Sequence, residues 1–165
     1  MKILCVKSNL PLSILIRWGL KEDCSHLVAE FDNRLAIHSN LLGVHLQWAP
    51  HLREHCTVVH EFEFKLTLEQ EEEVYLALIN LTEGKPYDFG AFAYFGWRAI
   101  LWRIFGLAIP KRNRWGKKDH FLCTEIAAAL PDWMLPIDKD PELLGMMSPH
   151  KMAAIISHIR GEKLA

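Results

Sequence analysis

The sequence predicts an α+β fold in which an antiparallel sheet packs against helices. Three observations lead there. Strand-like segments fall early in the chain and helical segments lie around and after them, without the regular strand–helix–strand alternation that builds a parallel sheet. Two strand-like segments flank a short polar turn, Asp32-Asn33-Arg34, and so read as a hairpin. Half of the 165 residues are apolar, enough for one sizeable core, and no repeat or low-complexity tract divides the chain, so residues 1–165 are read as a single domain.

In chain order, a short helix is expected from about Pro11 to Trp18. The hairpin follows, with strands over Ser25 to Phe31 and Leu35 to Leu46, where Asn33 tolerates positive φ. A further strand spans Thr57 to Lys65. Thr67 to Leu81 carries apolar residues at helical spacing, and Thr67 with Gln70 forms a capping box. Beyond Gly84 comes a mostly apolar helical region, then a basic loop from Lys111 to Lys118. A helix over His120 to Leu130 stops at Pro131, and Ser148-Pro149 opens the last one. Phe92, Phe95, Trp97, Trp102 and Phe105 are expected in the core, with an apolar groove for an acyl chain as the alternative.

Charge and composition exclude several partner classes. Nineteen Lys and Arg oppose twenty Asp and Glu, so nothing draws the chain as a whole to nucleic acid or anionic lipid. The residues around Trp115 (Lys111, Arg112, Arg114, Lys117 and Lys118) read as a solvated loop, with an anionic substrate or peripheral membrane contact as the other reading. Lys7, Pro11 and Arg17 interrupt the apolar start, which lacks a signal-peptide pattern, and Arg98 and Arg103 argue against a membrane span over Phe89 to Pro110. Cys5, Cys24, Cys56 and Cys123 show no paired CxxC spacing, so free thiols in a reducing, cytoplasmic compartment are expected. No cofactor is called for.

Cys123 is the residue with most chemistry to offer. It opens a segment, Cys123-Thr124-Glu125-Ile126-Ala127-Ala128-Ala129-Leu130, with strong helical propensity. At a helix start, backbone N–H groups and the positive dipole end favour a thiolate, and Lys117 and Lys118 would add to this. The same N–H groups suit an oxyanion. A small apolar residue in a buried helix is the bland reading of the same cysteine.

A nucleophilic thiol needs a base, and the base needs an orienting group. His26 and His38 stand on the two arms of the hairpin. A three-residue turn puts them on one sheet face, directly opposite if the turn is 31–33 and diagonal if it is 32–34, whereas a two-residue turn would separate them. Two unconnected strand histidines remain the plain alternative.

The segment Ser25-His26-Leu27-Val28-Ala29-Glu30-Phe31, followed by Leu35-Ala36-Ile37-His38-Ser39 and Gly43-Val44, resembles the base-bearing hairpin of NlpC-type papain-like cysteine hydrolases. Phe121-Leu122-Cys123-Thr124-Glu125 is similar to the Phe-x-Cys-Ser-Glu nucleophile segment of their circularly permuted branch, and Gly84-x-Pro86-Tyr87-Asp88 is similar to the Gly-x-x-Tyr-Asp stretch before it. The order, hairpin before cysteine, is that of the permuted branch. The resemblance implies a permuted papain-like fold and a thiol hydrolase acting on an amide or ester of a peptide-like or lipid-linked substrate. It makes Cys123 the nucleophile, His26 the general base and His38 the orienting residue, where many permuted members carry Glu. Tyr87 and Thr124 become candidates for holding the oxyanion or substrate. A non-catalytic papain-like module that holds a lipid or peptide is a further reading of the same fold.

Three rival sites remain. His51-Leu52-Arg53-Glu54-His55 fits the H-x-x-E-H pattern of inverted zinc peptidases, with Glu125 as third ligand, although Pro50 and Thr57-Val58-Val59 leave room for little more than one helical turn. Cys24 and His26 share a strand face, but Cys24 lacks a helix start to activate it. His120 stands one helical turn before Cys123 and is an alternative base.

Overall fold

The computed structural model describes residues 1–32, 34–40, 42–82, 86–115, 120 and 122–162. It is an α+β arrangement around a five-stranded antiparallel sheet. The strands are β1 (Lys2–Lys7), β2 (His26–Phe31), β3 (Leu35–Asn40), β4 (Gly43–Trp48) and β5 (Thr57–Glu63), in the order β4-β3-β2-β1-β5. The helices are α1 (Pro11–Leu20), α2 (Ala49–His55), α3 (Leu68–Thr82), α4 (Phe89–Phe105), α5 (Pro141–Leu144) and α6 (Pro149–Arg160), with a 3₁₀ helix at Cys123–Ala129.

The sheet differs from the sequence expectation in two places. β1, unforeseen, lies between β2 and β5. Its inner residues Ile3, Leu4, Cys5 and Val6 are all buried, because both sheet faces are covered there, and a short continuous apolar run carries no alternation to announce a strand. The expected long strand Leu35 to Leu46 is two strands, β3 and β4. Asn40 Oδ1 accepts from the Leu42 N–H at 2.8 Å, and Gly43 takes a φ of 102°. Residues with a Cβ rarely adopt that backbone, so glycine is what lets the chain reverse there.

The capping signals act as the residue types require. Thr67 Oγ1 accepts from the Gln70 N–H at 3.3 Å, and Gln70 Oε1 accepts from the Thr67 N–H at 3.0 Å. Ser148 Oγ accepts from Lys151 N–H at 3.1 Å, with Pro149 in the first turn of α6. Pro50 likewise begins α2 without breaking it, which gives this helix seven residues where fewer were expected.

One sheet face carries Ile3, Leu27, Ala29, Phe31, Ile37 and Phe62 into the main core, against Val74 and Leu78 of α3, Ile126 and Ala127 of the 3₁₀ helix, and Met152 and Ile156 of α6. The opposite face, with Leu4, Val6, Val28 and Ala36, is covered by Ala49 and Leu52 of α2. On that face Glu30 is wholly buried and takes two bonds of 2.8 Å from the Arg53 guanidinium. α1 and α4 pack together away from the sheet, with Gly19 against Ala99.

Cys5 and Cys24 form a disulfide, their Cα atoms 6.0 Å apart, so the expectation of four free thiols fails; Cys56 and Cys123 are the free cysteines. Pairing of β1 with β2 brings the two together: Cys5 lies opposite Leu27, and the Ser25 N–H bonds the Val6 carbonyl at 3.0 Å. Closing a loop across 19 positions is worth about 3 kcal/mol by the chain-entropy estimate. Chemical denaturation with and without reductant should show that difference. Equal midpoints would mean that the bond contributes nothing to stability.

Candidate active site

The hairpin turn decides whether the two histidines meet. Phe31 pairs with Leu35 and Val28 with His38, so the turn is 32–34 and His26 and His38 are diagonal neighbours on one face. His26 Nε2 lies 2.8 Å from His38 Nδ1, and His38 Nε2 lies 2.8 Å from Gln47 Oε1. Gln47 was not foreseen. The tight turn between β3 and β4 sets Ala36 opposite Gln47 and His38 opposite His45, which places Gln47 diagonal to His38.

These three residues fix proton positions. The Gln47 carbonyl oxygen only accepts, so His38 donates from Nε2 and keeps a lone pair on Nδ1. His26 then donates from Nε2 to that lone pair, which leaves the basic lone pair of His26 on Nδ1. The side of the ring that His38 does not engage is thus the one suited to take a proton. His45 packs against His38 with the rings tilted 54° and their centroids 4.3 Å apart, and donates from Nδ1 to the Gly43 carbonyl at 3.1 Å.

Cys123 begins the 3₁₀ helix, and its thiol interacts with the backbone N–H of Leu27, the residue after His26. Cys123, His26 and His38 line one cavity of about 630 Å³. Its remaining wall is largely apolar and includes Val6, Leu10, Leu12, Ile16, Phe92 and Phe95. Such a volume suits a small ligand or one acyl chain. Trp97 and Phe105, expected in the core, stand 55% and 68% exposed, while Phe92 and Phe95 of the same helix turn to the cavity. Helical rotation splits the aromatic run between two faces.

Burial dominates the electrostatics. It holds the His26 imidazole well below the ordinary histidine value of 6.5, and nearby His38 and His45 push the same way. His38 is lowered to about 4, by burial first and His45 second. The Cys123 thiol is pushed up to about 11 by burial, with the Glu125 carboxylate adding to this and the N–H groups of Leu27, Thr124 and Cys123 opposing it. This overturns the expected depressed thiol. A short 3₁₀ start supplies few aligned dipoles, and desolvation outweighs them. At neutral pH the cavity is therefore lined by a neutral thiol and a neutral imidazole.

The supporting residues sort by geometry. Tyr87 lines the cavity, packs on Phe89 and Phe92, and stays protonated because burial, then Cys123, raises its hydroxyl. It is a standing donor. The Thr124 hydroxyl is spent on the Leu144 carbonyl at 3.0 Å, so only its backbone N–H is left for the site. Glu125 accepts from the Leu122 N–H, and burial lifts it to about 7; it caps the 3₁₀ helix. Asp88 caps α4 through the Ala91 N–H at 2.7 Å.

No family model, curated protein or solved structure matches this chain. The site must be judged on its own geometry.

The rival sites fare as follows. His51, Glu54 and His55 lie exposed on α2 with their ligand atoms within 4.8 Å of one another, but none of them lines the large cavity and Glu125 is not among them. Cys24 is oxidised to Cys5, which removes the Cys24–His26 dyad. His120 does not line the cavity. Within the expected basic loop, Arg112 pairs with Asp140 at 3.2 Å and Glu142 at 3.4 Å, and buried Asn113 donates to the Ala91 and Gly145 carbonyls. That part is anchored. Asn33, Gly84, Lys117, Lys118, Asp119 and Phe121 lie outside the described residues. No helix among the described residues is long and apolar enough to cross a membrane.

Proposed function

We propose that the chain is a thiol hydrolase of papain-like fold in circularly permuted order, cleaving an amide or ester through Cys123, His26 and His38. The observation that carries this reading is the Gln47–His38–His26 relay, which ends at the cavity that Cys123 shares. His26 Nδ1 takes the thiol proton as Sγ attacks the substrate carbonyl. The oxyanion is held by backbone N–H groups at the start of the 3₁₀ helix and by the Tyr87 hydroxyl. The imidazolium then gives its proton to the leaving amine or alcohol, and a water activated by the same nitrogen hydrolyses the thioester. An amide is the preferred bond. The apolar wall favours a substrate with an acyl or other apolar arm, within the peptide-like or lipid-linked class, and no cofactor is used.

The experiment is acyl transfer from nitrophenyl esters of medium-chain fatty acids. A burst of nitrophenol with an acyl mass adduct on Cys123 is expected, and Cys123→Ala should show neither. An equal burst from that variant sinks the reading. Because the resting thiol is neutral, its alkylation by iodoacetamide should climb steadily from neutral pH toward 11, with no plateau on the acid side. An acid plateau would show a preformed thiolate–imidazolium pair.

The raised thiol is also what a non-catalytic lipid- or peptide-holding module would show, and absence of any burst would favour it. The close approach of His51, Glu54 and His55 supports the zinc peptidase reading, for which stoichiometric zinc in chelator-free protein is the sign.

A further inference from the structure

α1 is turned inside out. Its exposed stripe, Pro11, Ile14, Leu15 and Trp18, follows helical spacing and is wholly apolar, while Ser13 faces inward and bonds Ser25 at 2.6 Å. α4 repeats the pattern with Phe89, Ala93, Trp97, Ile104 and Phe105 outward, continued past its end by Leu107. The two stripes meet where the Arg103 guanidinium lies over the Trp18 ring, 5.6 Å from its centroid, and where Lys21 reaches Trp102 at 5.8 Å. An exposed apolar surface of this extent marks a docking site.

Charge says what docks there. From Asn9 to Lys21 the charged residues are Arg17 and Lys21; from Phe89 to Trp115 they are Arg98, Arg103, Lys111, Arg112 and Arg114, with no Asp or Glu in either segment. Arg112 is paired with Asp140 and Glu142, and Glu22 lies beside Leu20 and Trp102, so the cations that fringe the apolar stripes with no ion pair to an acid of either segment are Arg17, Lys21, Arg98, Arg103, Lys111 and Arg114. Apolar and aromatic side chains fringed by cations fit an anionic lipid interface, where the first enter the acyl boundary and the second meet headgroups. The surface also runs into the cavity: Leu10, 67% exposed, is at once part of the outer face and a cavity wall, and Phe92 and Phe95 of α4 line the inside.

We propose that the α1–α4 face seats the protein on an anionic membrane surface, so that a lipid-linked substrate passes from the bilayer into the cavity toward Cys123. This rests on the hydrolase reading for its purpose, but the docking itself does not require turnover.

The test is flotation of the Cys123→Ala protein with vesicles of phosphatidylcholine mixed with phosphatidylglycerol, and of phosphatidylcholine alone. Binding to the mixed vesicles is expected, weaker by roughly tenfold or more on the neutral ones. Ile14→Ser with Trp97→Ser should lower binding to both kinds, and Arg103→Glu with Arg114→Glu should lower it on the mixed vesicles. All four positions are exposed or rim residues, so folding should survive, and an unchanged thermal melt confirms it. Equal binding by the variants, no binding to either vesicle, or a stable dimer that forms through this face in place of vesicle binding overturns the proposal. Absence of docking by the Cys123→Ala protein, with Cys123-dependent ester cleavage by the parent, would refute the membrane face and leave the hydrolase standing. Docking without any such cleavage would do the reverse.

Discussion

Replacing His26 by alanine is expected to lower kcat/KM by roughly 10²- to 10⁴-fold, with most of the loss in kcat. The size follows from the resting state: a thiol pushed up to about 11 is almost fully protonated at neutral pH, so attack depends on a base that removes the proton as the bond forms. His38→Ala should cost less, because the imidazole remains but its tautomer and orientation are no longer held. Gln47→Met tests the same logic one residue further out. Without the Gln47 oxygen, His38 is free to place its proton on Nδ1 and reverse the direction of the relay, whereas Gln47→Glu keeps an acceptor and should retain activity.

The combined loss of His26→Ala with Gln47→Met should be little more than that of His26→Ala alone, since both act through one ring. Fully multiplied losses would show that Gln47 acts elsewhere. The acid limb of the pH–rate profile should lie below the ordinary histidine value of 6.5, because burial disfavours the imidazolium in the free site. The same shifts have a stability side. His38, lowered to about 4, binds no proton in the folded state over a range where the unfolded chain does, so its contribution is present above 6.5 and is lost as pH falls toward 4.

Arg53→Ala is expected to lower folding stability by about 3–5 kcal/mol, the largest single effect on the fold. Glu30 is wholly buried between the sheet and α2, and the Arg53 fork supplies both of its 2.8 Å bonds, with Glu61 as a third corner at 3.1 Å. Removing the guanidinium strands a carboxylate among Leu4, Val28, Ala36 and Leu52. Glu30→Leu with Arg53→Met takes out both charges and should recover most of the loss, because the pair repays its own desolvation poorly. Urea denaturation of the two single variants and the double variant gives the coupling directly, and an Arg53→Ala protein within ~1 kcal/mol of the parent would contradict it. His51→Ala and Glu54→Ala, on the exposed side of the same helix, should leave stability nearly unchanged.

The legible parts of the chain were those in which neighbours in sequence decide the outcome. Thr67 with Gln70, and Ser148 with Pro149, announce helix starts because the capping bonds span three residues. The hairpin was legible for the same reason: a short turn fixes the pairing, and the pairing puts His26 and His38 on one face. Gln47 stayed hidden because its place depends on a second turn, at Asn40–Gly43, within what read as one long strand. The Cys5–Cys24 bond was hidden because it follows from a central strand that the sequence did not mark.

By itself, then, the sequence determined the α+β class, several helix starts and the hairpin that carries the two histidines, since periodicity, caps and turn residues act over a few positions, while the pairing register chose the diagonal meeting among the arrangements left open. Tertiary structure alone decided the five-stranded order, the thiol's height above its ordinary range, and the outward turn of Trp18 and Trp97. Each of those depends on what lies on the far side of an element, and burial is a property of the whole fold, not of a segment.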